Sequence, residues 1–344
     1  MKYFYCFLSS YFISLSACCQ ATKTQIKGIG IAFYNVENLF DTIDDPDTWD
    51  VSFTPKGKYH WTADKLEAKI DNLALVISKL GAKELGQSPS FIGIAEVENR
   101  KVLELLVGHT LLLPYDYGIE HFNSPDGRGI DVALLYRRDH FLVQHSQKHR
   151  LDLKDENDAP ILTRDQLCVS GMLDREQLFF IINHWPSRRG GVKRSEQKRL
   201  LAAELSKKIS DSIYRIDQKA NIIVMGDFND NPTDKSFKKV LQTKGEIIAS
   251  EINYFYNPFE AKFKKGFGSL AYRDKWFLFD QILLSNHLTD SIGWQYLKSL
   301  VYKPSFLQNK KGKYKGYPKR SAGNKFGYSD HFPIYMVLGK SVNP

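Results

Sequence analysis

The sequence predicts a single α/β domain. Apolar runs typical of β-strands alternate with amphipathic segments typical of helices throughout the chain, and no internal repeat interrupts this order. The 344 residues, 42% hydrophobic and 25% charged, would suffice for one large domain or two smaller ones. Because no linker-like stretch divides the alternating elements, we expect one domain, which we place at residues 22–344.

The segment before this domain, residues 1–21, is typical of a targeting signal. A single lysine precedes an apolar and aromatic stretch that is short for a membrane span and ends in small residues. The sequence Leu-Ser-Ala-Cys at 15–18 resembles a bacterial lipoprotein signal, in which Cys18 would be lipidated. Cleavage after Ala21 is the alternative, and a retained anchor would need a longer apolar run. We therefore expect an extracytoplasmic protein, secreted, periplasmic or tethered to a membrane through a lipid on Cys18.

The domain begins with a strand, a loop, a helix and a second strand. Residues 28–34 are an apolar run that predicts the first strand, and the Asp, Pro, Gly and Lys residues of 41–60 predict a long loop. Apolar residues at helical spacing predict a helix over 65–80, which Gly81 ends. A short apolar run at 91–95 predicts a buried strand.

The middle of the chain predicts three strands and the longest helix. Residues 115–122 and 132–136 flank a Gly-rich turn, as strands do, and 178–183 is a further apolar run. Residues 193–214 predict a helix, because the apolar side chains recur there with helical spacing.

The C-terminal part predicts three further strands and one helix start. The strands are expected at residues 221–225, 277–284 and 332–338. Asn231 and Pro232 are typical of a helix cap followed by proline in the first turn.

Polar side chains stand at the ends of most of these predicted strands. They are Asn35, Glu37, Glu96, Asp131, His184, Asp227, Asn229, Asp280, Asp330 and His331. A single Asp at a strand end is usually a turn residue or a helix cap, but the ends of neighbouring strands meet at one rim of a sheet. Carboxylates and Asn amides suit Mg²⁺ or Mn²⁺, and His beside Asp suits proton transfer in phosphoester hydrolysis.

At these residues the chain resembles the endonuclease/exonuclease/phosphatase superfamily, which includes enzymes like exonuclease III and deoxyribonuclease I. The resemblance spans about residues 29–340 and rests on five sequence boxes in order: FYNVEN at 33–38, IAEVE at 94–98, NHWPS at 183–187, GDFN at 226–229 and SDH at 329–331. It implies a four-layer α/β/β/α sandwich of two mixed sheets, with the active site at one end of the sheets.

The resemblance also implies a divalent-metal site. Glu96 would be the principal ligand of Mg²⁺ or Mn²⁺, and Asn35, Glu37 and Asp330 would complete its surroundings, directly or through water. The family's first box usually has Asn-x-Asp, and this chain has the longer Glu37 in place of the Asp. Glu37 could therefore bind the ion directly or through water. The number of metal ions stays open.

The remaining implied roles concern protons and phosphate. His331 would pair with Asp280, and Asp227 would lie near the attacking water. Asn229 would donate to a phosphoryl oxygen, and His184 would face the phosphate from the other side. Asp131 is the nearest candidate to orient His184.

Arginines near the boxes are candidates for binding phosphate. Arg188 and Arg189, followed by two glycines, suit a phosphate-facing loop as well as they suit a solvated turn, and Arg128 lies in the Gly-rich turn.

On charge alone, a solvated basic surface is the simpler interpretation, and affinity for a polyanion such as nucleic acid is the alternative. The net charge is +9, and residues 302–328, which we call the basic segment, interleave lysine and arginine with aromatic residues, as single-strand binders do. A flexible solvated loop is the alternative.

Our first hypothesis is a low-specificity nuclease with nucleic acid as its substrate. The second is a phosphodiesterase or phosphatase acting on small phosphate esters or lipid headgroups, and the third is an inactive binding lipoprotein. No feature predicts a protein partner, and with Cys168 alone in the body no disulfide framework is expected.

Overall fold

The computed structural model describes residues 25–248, 253–290, 293–321 and 326–342. The predicted signal at residues 1–21, with Cys18, lies outside the described residues. None of the helices described combines the length and the apolar run that crossing a bilayer requires.

Strands and helices alternate along the described chain. The strands are β1 Gln25–Leu39, β2 Phe91–Val97, β3 Tyr117–His121, β4 Asp131–Arg137, β5 Leu142–His149, β6 Leu153–Lys154, β7 Pro160–Ile161, β8 Gln166–Leu173, β9 Glu176–His184, β10 Asn221–Asp227, β11 Phe255–Tyr256, β12 Leu270–Tyr272, β13 Lys275–Phe277, β14 Asp280–Ser285, β15 Gln295–Val301 and β16 Ile334–Val342. The α-helices are α1 Ala63–Lys79, α2 Ala82–Leu85, α3 Arg100–Val107, α4 Val192–Ile216 and α5 Phe259–Lys264.

Two six-stranded mixed sheets form the centre of the molecule. The first has the order β15-β16-β1-β2-β4-β3 and the second the order β11-β14-β10-β9-β8-β5. Each sheet contains one parallel pair, β1 with β2 and β9 with β10, and the other neighbours are antiparallel. A parallel pair needs a crossover, which α1 supplies in the first sheet and α4 in the second.

The sheets pack face to face with helices outside them. Phe91 of β2 and Phe180 of β9 meet between the sheets with ring centroids 4.5 Å apart, and Gly93 leaves room for Met225 of β10. Leu73 of α1 is buried with the first sheet, and the apolar side of α4 with the second. The predicted four-layer α/β/β/α sandwich in a single domain is therefore confirmed.

The structure departs from the predicted elements in places where the periodicity of apolar residues is weak. Strands β5, β8 and β15 and helix α3 were not predicted. The helix expected from Pro232 is wrong, because Asn231 Oδ1 accepts the Leu278 N–H across the loop, and a single π-helical turn follows at Ser236–Val240. The strand predicted over 277–284 is interrupted, so that β14 begins at Asp280.

Candidate active site

The parallel pairs bring the sequence boxes to one rim of the sandwich. In the second sheet, Asp227 at the end of β10 is in register with His184 of β9 on one side and with Asp280 of β14 on the other. In the first sheet, Asn35 of β1 is in register with Ala95, the residue before Glu96. Because the sheets face each other, these parts of five strands converge.

Four residues at this rim have left-handed backbone conformations. Their φ angles are 54° at Glu37, 55° at Asn38, 66° at Glu96 and 51° at Asn229. Such angles are unfavourable for residues with a side chain and persist where the surrounding structure enforces them, often at functional sites. Here they break the strand alternation, so that consecutive polar side chains can face the same cavity.

Hydrogen bonds tie the first and last boxes together. Ser329 Oγ donates to the Asn35 carbonyl at 2.7 Å and accepts the His331 N–H at 3.0 Å. Asn35 in turn donates from Nδ2 to Asp227 Oδ2 at 3.1 Å, and its Oδ1 accepts the Glu37 N–H at 2.9 Å. The amide of Asn35 is thus fixed in orientation, with its donor directed at the second sheet.

The predicted metal-ligand carboxylates lie on the first-sheet side of the cavity. Glu96 Oε2 accepts the Asn38 N–H at 3.1 Å, while Oε1 lies 3.9 Å from His184 Nε2. Glu37 is 7% exposed, and its Oε2 has no hydrogen-bond partner within the described part of the chain. Burial, with the nearby Asp330 carboxylate, raises the pKa of Glu37 to about 7, against the opposing effect of neighbouring cations.

This donor set fits a hard divalent cation. A buried carboxylate oxygen without a partner is unfavourable unless an ion or a water satisfies it, and Glu37 Oε2 is such an atom. Glu96 and Asp330 add carboxylate oxygens of the kind that Mg²⁺ and Mn²⁺ prefer.

A second group of potential ligands is made by Asp227, Asp280 and His331, whose ligand atoms lie within 4.8 Å of one another. The His331 Nδ1 lies 2.7 Å from Asp280 Oδ2. Burial opposes the charged imidazole, but the Asp280 and Asp227 carboxylates raise the pKa of His331 well above its usual range. A protonated imidazole cannot ligate a metal, so we interpret this group as a proton-holding pair beside a carboxylate.

Asp227 is the central carboxylate of the site. Its Oδ1 accepts the Asn229 N–H at 3.0 Å, and its Oδ2 lies 3.6 Å from His184 Nε2 and 3.9 Å from His331 Nε2. Burial raises the pKa of Asp227 to about 6, while the His331 charge opposes the shift. Asn229 uses one Nδ2 donor on the Trp185 carbonyl at 3.0 Å, which leaves the other for a ligand.

His184 is held neutral and in place by its surroundings. Burial lowers its pKa well below the usual range, and the Arg164 and Arg128 charges add to this effect. Arg164 donates to the His184 and Trp185 carbonyls at 3.2 and 2.8 Å, which fixes the backbone of the box.

The expectation that Asp131 orients His184 is wrong. Asp131 Oδ2 instead lies 3.0 Å from His121 Nε2, and its Oδ1 accepts the Ser124 N–H at 2.8 Å. Asp131 therefore holds the Gly-rich turn, and the His184 Nδ1 has no partner among the residues described.

The three candidate phosphate-binding arginines occupy different environments. Arg128 donates to Asn38 Oδ1 at 2.6 Å and lies 3.5 Å from Glu96 Oε2, at the mouth of the site and half exposed. Arg188 is engaged within the protein, because it donates to the Asn229 carbonyl and contacts Asp234 at 2.6 Å. The side chain of Arg189 is exposed in the loop before α4.

Arg320 and Lys69 were not singled out from the sequence as site residues. Arg320 Nη2 lies 2.5 Å from Glu37 Oε1, and its Nη1 lies 3.8 Å from Asp330 Oδ2. Lys69, buried in α1, donates to the Tyr328 carbonyl at 2.6 Å. The position of the basic segment just before Asp330 signalled its proximity, whereas Lys69 has no local signal, because it is one lysine in an ordinary amphipathic helix.

Comparison with models of known protein families finds one match, which covers nearly the whole domain. Residues 30–340 match the model of the Endonuclease/Exonuclease/phosphatase family. No curated protein sequence matches the chain.

Solved structures share the fold at low sequence identity. A humanized Danio rerio TDP2 is 15% identical, with a TM-score of 0.56 over 90% of this chain and 98% of that one. D. rerio TDP2 complexed with a single-strand DNA product is 14% identical, with a TM-score of 0.54 over 90% and 98%. A mannosyl-6-phosphatase from Bacteroides thetaiotaomicron is also 14% identical, with a TM-score of 0.54 over 90% and 99%.

Proposed function

The chain belongs to the endonuclease/exonuclease/phosphatase family, and from that premise we propose that it is an exported, divalent-metal-dependent nuclease with little sequence preference. The observation that carries the choice of substrate is the position of the basic segment, which reaches the carboxylates of the site through Arg320. A segment rich in lysine and arginine that reaches the site favours a polyanion, because phosphates neutralised by such side chains release counterions. That D. rerio TDP2 was solved with a single-strand DNA product supports nucleic acid as the substrate class.

Asn35, Glu37, Glu96 and Asp330 are the residues that would hold Mg²⁺ or Mn²⁺. Bound there, the ion would neutralise charge that develops on the phosphate and on the leaving oxygen. The unpartnered Glu37 Oε2 supports this assignment from the structure itself.

Asp227 is the proposed general base for the attacking water. A base is most effective when its pKa lies near the working pH, and the pKa of about 6 leaves Asp227 ionised but still basic at neutral pH. Asn35 and Asn229 fix the two oxygens of this carboxylate by hydrogen bonds, so its orientation is set before substrate arrives.

The two site histidines differ in charge, since His331 is protonated and His184 is neutral, and they have different proposed roles. His331, kept protonated by Asp280, would donate from Nε2 to a phosphoryl oxygen, with Asn229 supplying its second amide hydrogen. His184, held neutral, would hydrogen-bond on the leaving-group side. Arg128 at the mouth would contact a flanking phosphate.

A second candidate is a phosphatase or phosphodiesterase for small phosphate esters. The similarity in fold to a mannosyl-6-phosphatase favours it, as does a cavity beside Glu37 large enough for a small ligand. Its chemistry would use the same residues.

Export is proposed from residues 1–21 alone. Mass spectrometry of the full chain expressed in a bacterium that processes lipoproteins would test it, since lipidation leaves an acylated Cys18 at the new N-terminus. An N-terminus that retains residue 1 would overturn the proposal.

The nuclease proposal is tested with protein that lacks residues 1–21, a deletion that removes none of the described elements. Plasmid DNA, single-stranded DNA, RNA, sphingomyelin and bis-p-nitrophenyl phosphate are offered with Mg²⁺ or Mn²⁺, and again with chelator. We expect metal-dependent cleavage of nucleic acid that weakens as salt rises. Turnover of only the small or lipid ester would favour the second candidate, and metal binding without any hydrolysis would favour a binding protein.

A further inference from the structure

A cavity of about 270 Å³ opens directly beside the site, with Glu37 and Asn38 in its wall. We call it the side pocket. Its other walls come from the loop before α1 and the first turns of α1, within residues 53–69, and from Arg320, Ser321 and Phe326 of the basic segment. A second cavity, of about 310 Å³, is lined by residues of α3 and β3 and shares no residue with the site.

One wall of the side pocket is a stack of aromatic rings fixed from behind. Phe53 stacks on the buried Phe40 with ring centroids 4.2 Å apart, and Trp61 meets Phe53 edge-on at 5.9 Å. Trp61 is itself held by a 2.9 Å hydrogen bond from Nε1 to the Phe40 carbonyl. This wall therefore offers a preorganised apolar surface rather than a mobile one.

Two further rings leave much of their surface free. Tyr59 is 46% exposed and lies 4.9 Å from Phe53 between ring centroids, and Phe326 across the pocket is 43% exposed. Large aromatic residues with an exposed face beside a cavity are suited to stacking on a flat ligand group.

The polar groups of the side pocket are mainly cationic. Lys65 donates to the Tyr59 carbonyl at 2.7 Å, and Lys58 lies 5.4 Å from the centroid of the Tyr59 ring. Lys69 and Arg320 close the end nearest the site, where Glu37 is the one acidic side chain of the lining. Anionic ligands are therefore favoured, with the charge near the site and the flat group near the rings.

We propose that the side pocket binds the base of the nucleotide adjoining the scissile phosphate, an inference that rests on the nuclease function proposed above. A nucleotide combines a flat base that stacks on aromatic rings with a phosphate that pairs with lysine and arginine. A lipid chain would use the rings but not the cations. A base inside a duplex must first be unpaired and unstacked to enter, so the pocket selects single-stranded or frayed nucleic acid.

The test compares two single-stranded oligonucleotides of equal length, one with normal bases and one made of abasic sites. The variants are Tyr59→Ala and Phe326→Ala, whose side chains are nearly half exposed and belong to none of the buried core clusters. Trp49→Ala is the matched control, because Trp49 is an exposed aromatic residue that does not line the pocket. Rates are measured as kcat/KM with Mg²⁺.

Each pocket variant is expected to lower kcat/KM on the base-carrying strand by roughly 5- to 160-fold, which corresponds to the 1–3 kcal/mol lost when a stacking ring is removed. Neither variant should change the rate on the abasic strand, and Trp49→Ala should change neither. The fluorescence of a 2-aminopurine base at the cleavage site should be quenched when the strand binds to wild-type protein. The quenching should be weaker when it binds to Tyr59→Ala.

Three results would overturn the inference. Equal cleavage of both strands by wild-type protein would show that the protein does not recognise the base, although it would still be a nuclease. Cleavage of neither strand would remove the nuclease function and the inference together. Hydrolysis of a sugar phosphate that falls in Tyr59→Ala as far as nucleic-acid cleavage does would assign the pocket to a sugar.

Discussion

Arg320 and Glu37 form an ion pair on the first-sheet side of the site, with the guanidinium Nη2 2.5 Å from the Glu37 carboxylate. The same guanidinium lies 3.8 Å from Asp330, so it contacts two of the carboxylates that are candidate metal ligands. A divalent cation and Arg320 would therefore contact the same carboxylates, and because both are positively charged the binding of one weakens the binding of the other.

We expect Arg320→Gln to bind Mn²⁺ about three- to tenfold more tightly than wild-type protein, because it removes about 1 kcal/mol of repulsion between two cations under solvent screening. Electron paramagnetic resonance of free Mn²⁺ measures this without relying on activity. Lys315→Gln is the matched control, since it removes an exposed charge from the same basic segment.

Weaker Mn²⁺ binding by Arg320→Gln would contradict this account. It would mean that the guanidinium holds Glu37 and Asp330 in position for the metal rather than competing with it. Arg320→Lys separates the two cases further, because it keeps the charge but loses the forked geometry.

The hydrogen bond between His331 and Asp280 leads to a prediction on catalysis. His331→Ala should lower kcat by about 10²- to 10³-fold, the usual loss on removing one hydrogen-bond donor to an oxygen on which charge develops in the transition state. Glu96→Gln and Asp227→Asn should also abolish most activity, and Glu96→Gln alone of the three should weaken metal binding, because Glu96 is the only one of these residues proposed as a metal ligand. His287→Ala is the control, since that ring lies away from the site and bonds the Gln218 carbonyl. Wild-type rates in the three site variants would refute the mechanism.

Much of the fold was predictable because the central strands are continuous apolar runs with polar residues at their ends. Strands β1, β2, β9 and β10 have this form, and α1 and α4 have a clear helical period. Strand β5 escaped prediction because its residues are mostly exposed at a sheet edge, so polarity there does not alternate as in a half-buried strand.

The site was predictable where a residue belongs to a strand end, and not where long-range packing places it. Asp227 and His184 meet because the register of β9 and β10 aligns them. Arg164 and Lys69 reach the site from segments without a motif. Asp131, which was expected to orient His184, contacts His121 instead. Such pairings depend on which loops lie side by side, which the local sequence does not encode.

Cys168 should be unreactive in the folded protein. The side chain lies in β8, 7% exposed, and burial raises the pKa of its thiol to about 12. At pH 8 the group is therefore both protonated and shielded, whereas an attacking thiol must be ionised and accessible. In protein lacking residues 1–21, where it is the sole cysteine, Ellman's reagent should label it only after denaturant is added. Rapid labelling without denaturant would contradict its burial.

Arg199 should be important for stability rather than for catalysis. It is fully buried in α4, with Nε 2.6 Å from Asp230 Oδ1, and Ser236 donates to the other carboxylate oxygen at 2.8 Å. Removing one partner of a buried pair leaves an uncompensated charge, which costs about 3–5 kcal/mol. Because Arg188 keeps a 3.1 Å contact with Asp230, we expect Arg199→Met to lie at the lower end of that range. Urea unfolding measures the loss, with the exposed Arg194→Met as control, and equal midpoints for the two variants would show that Arg188 alone balances Asp230.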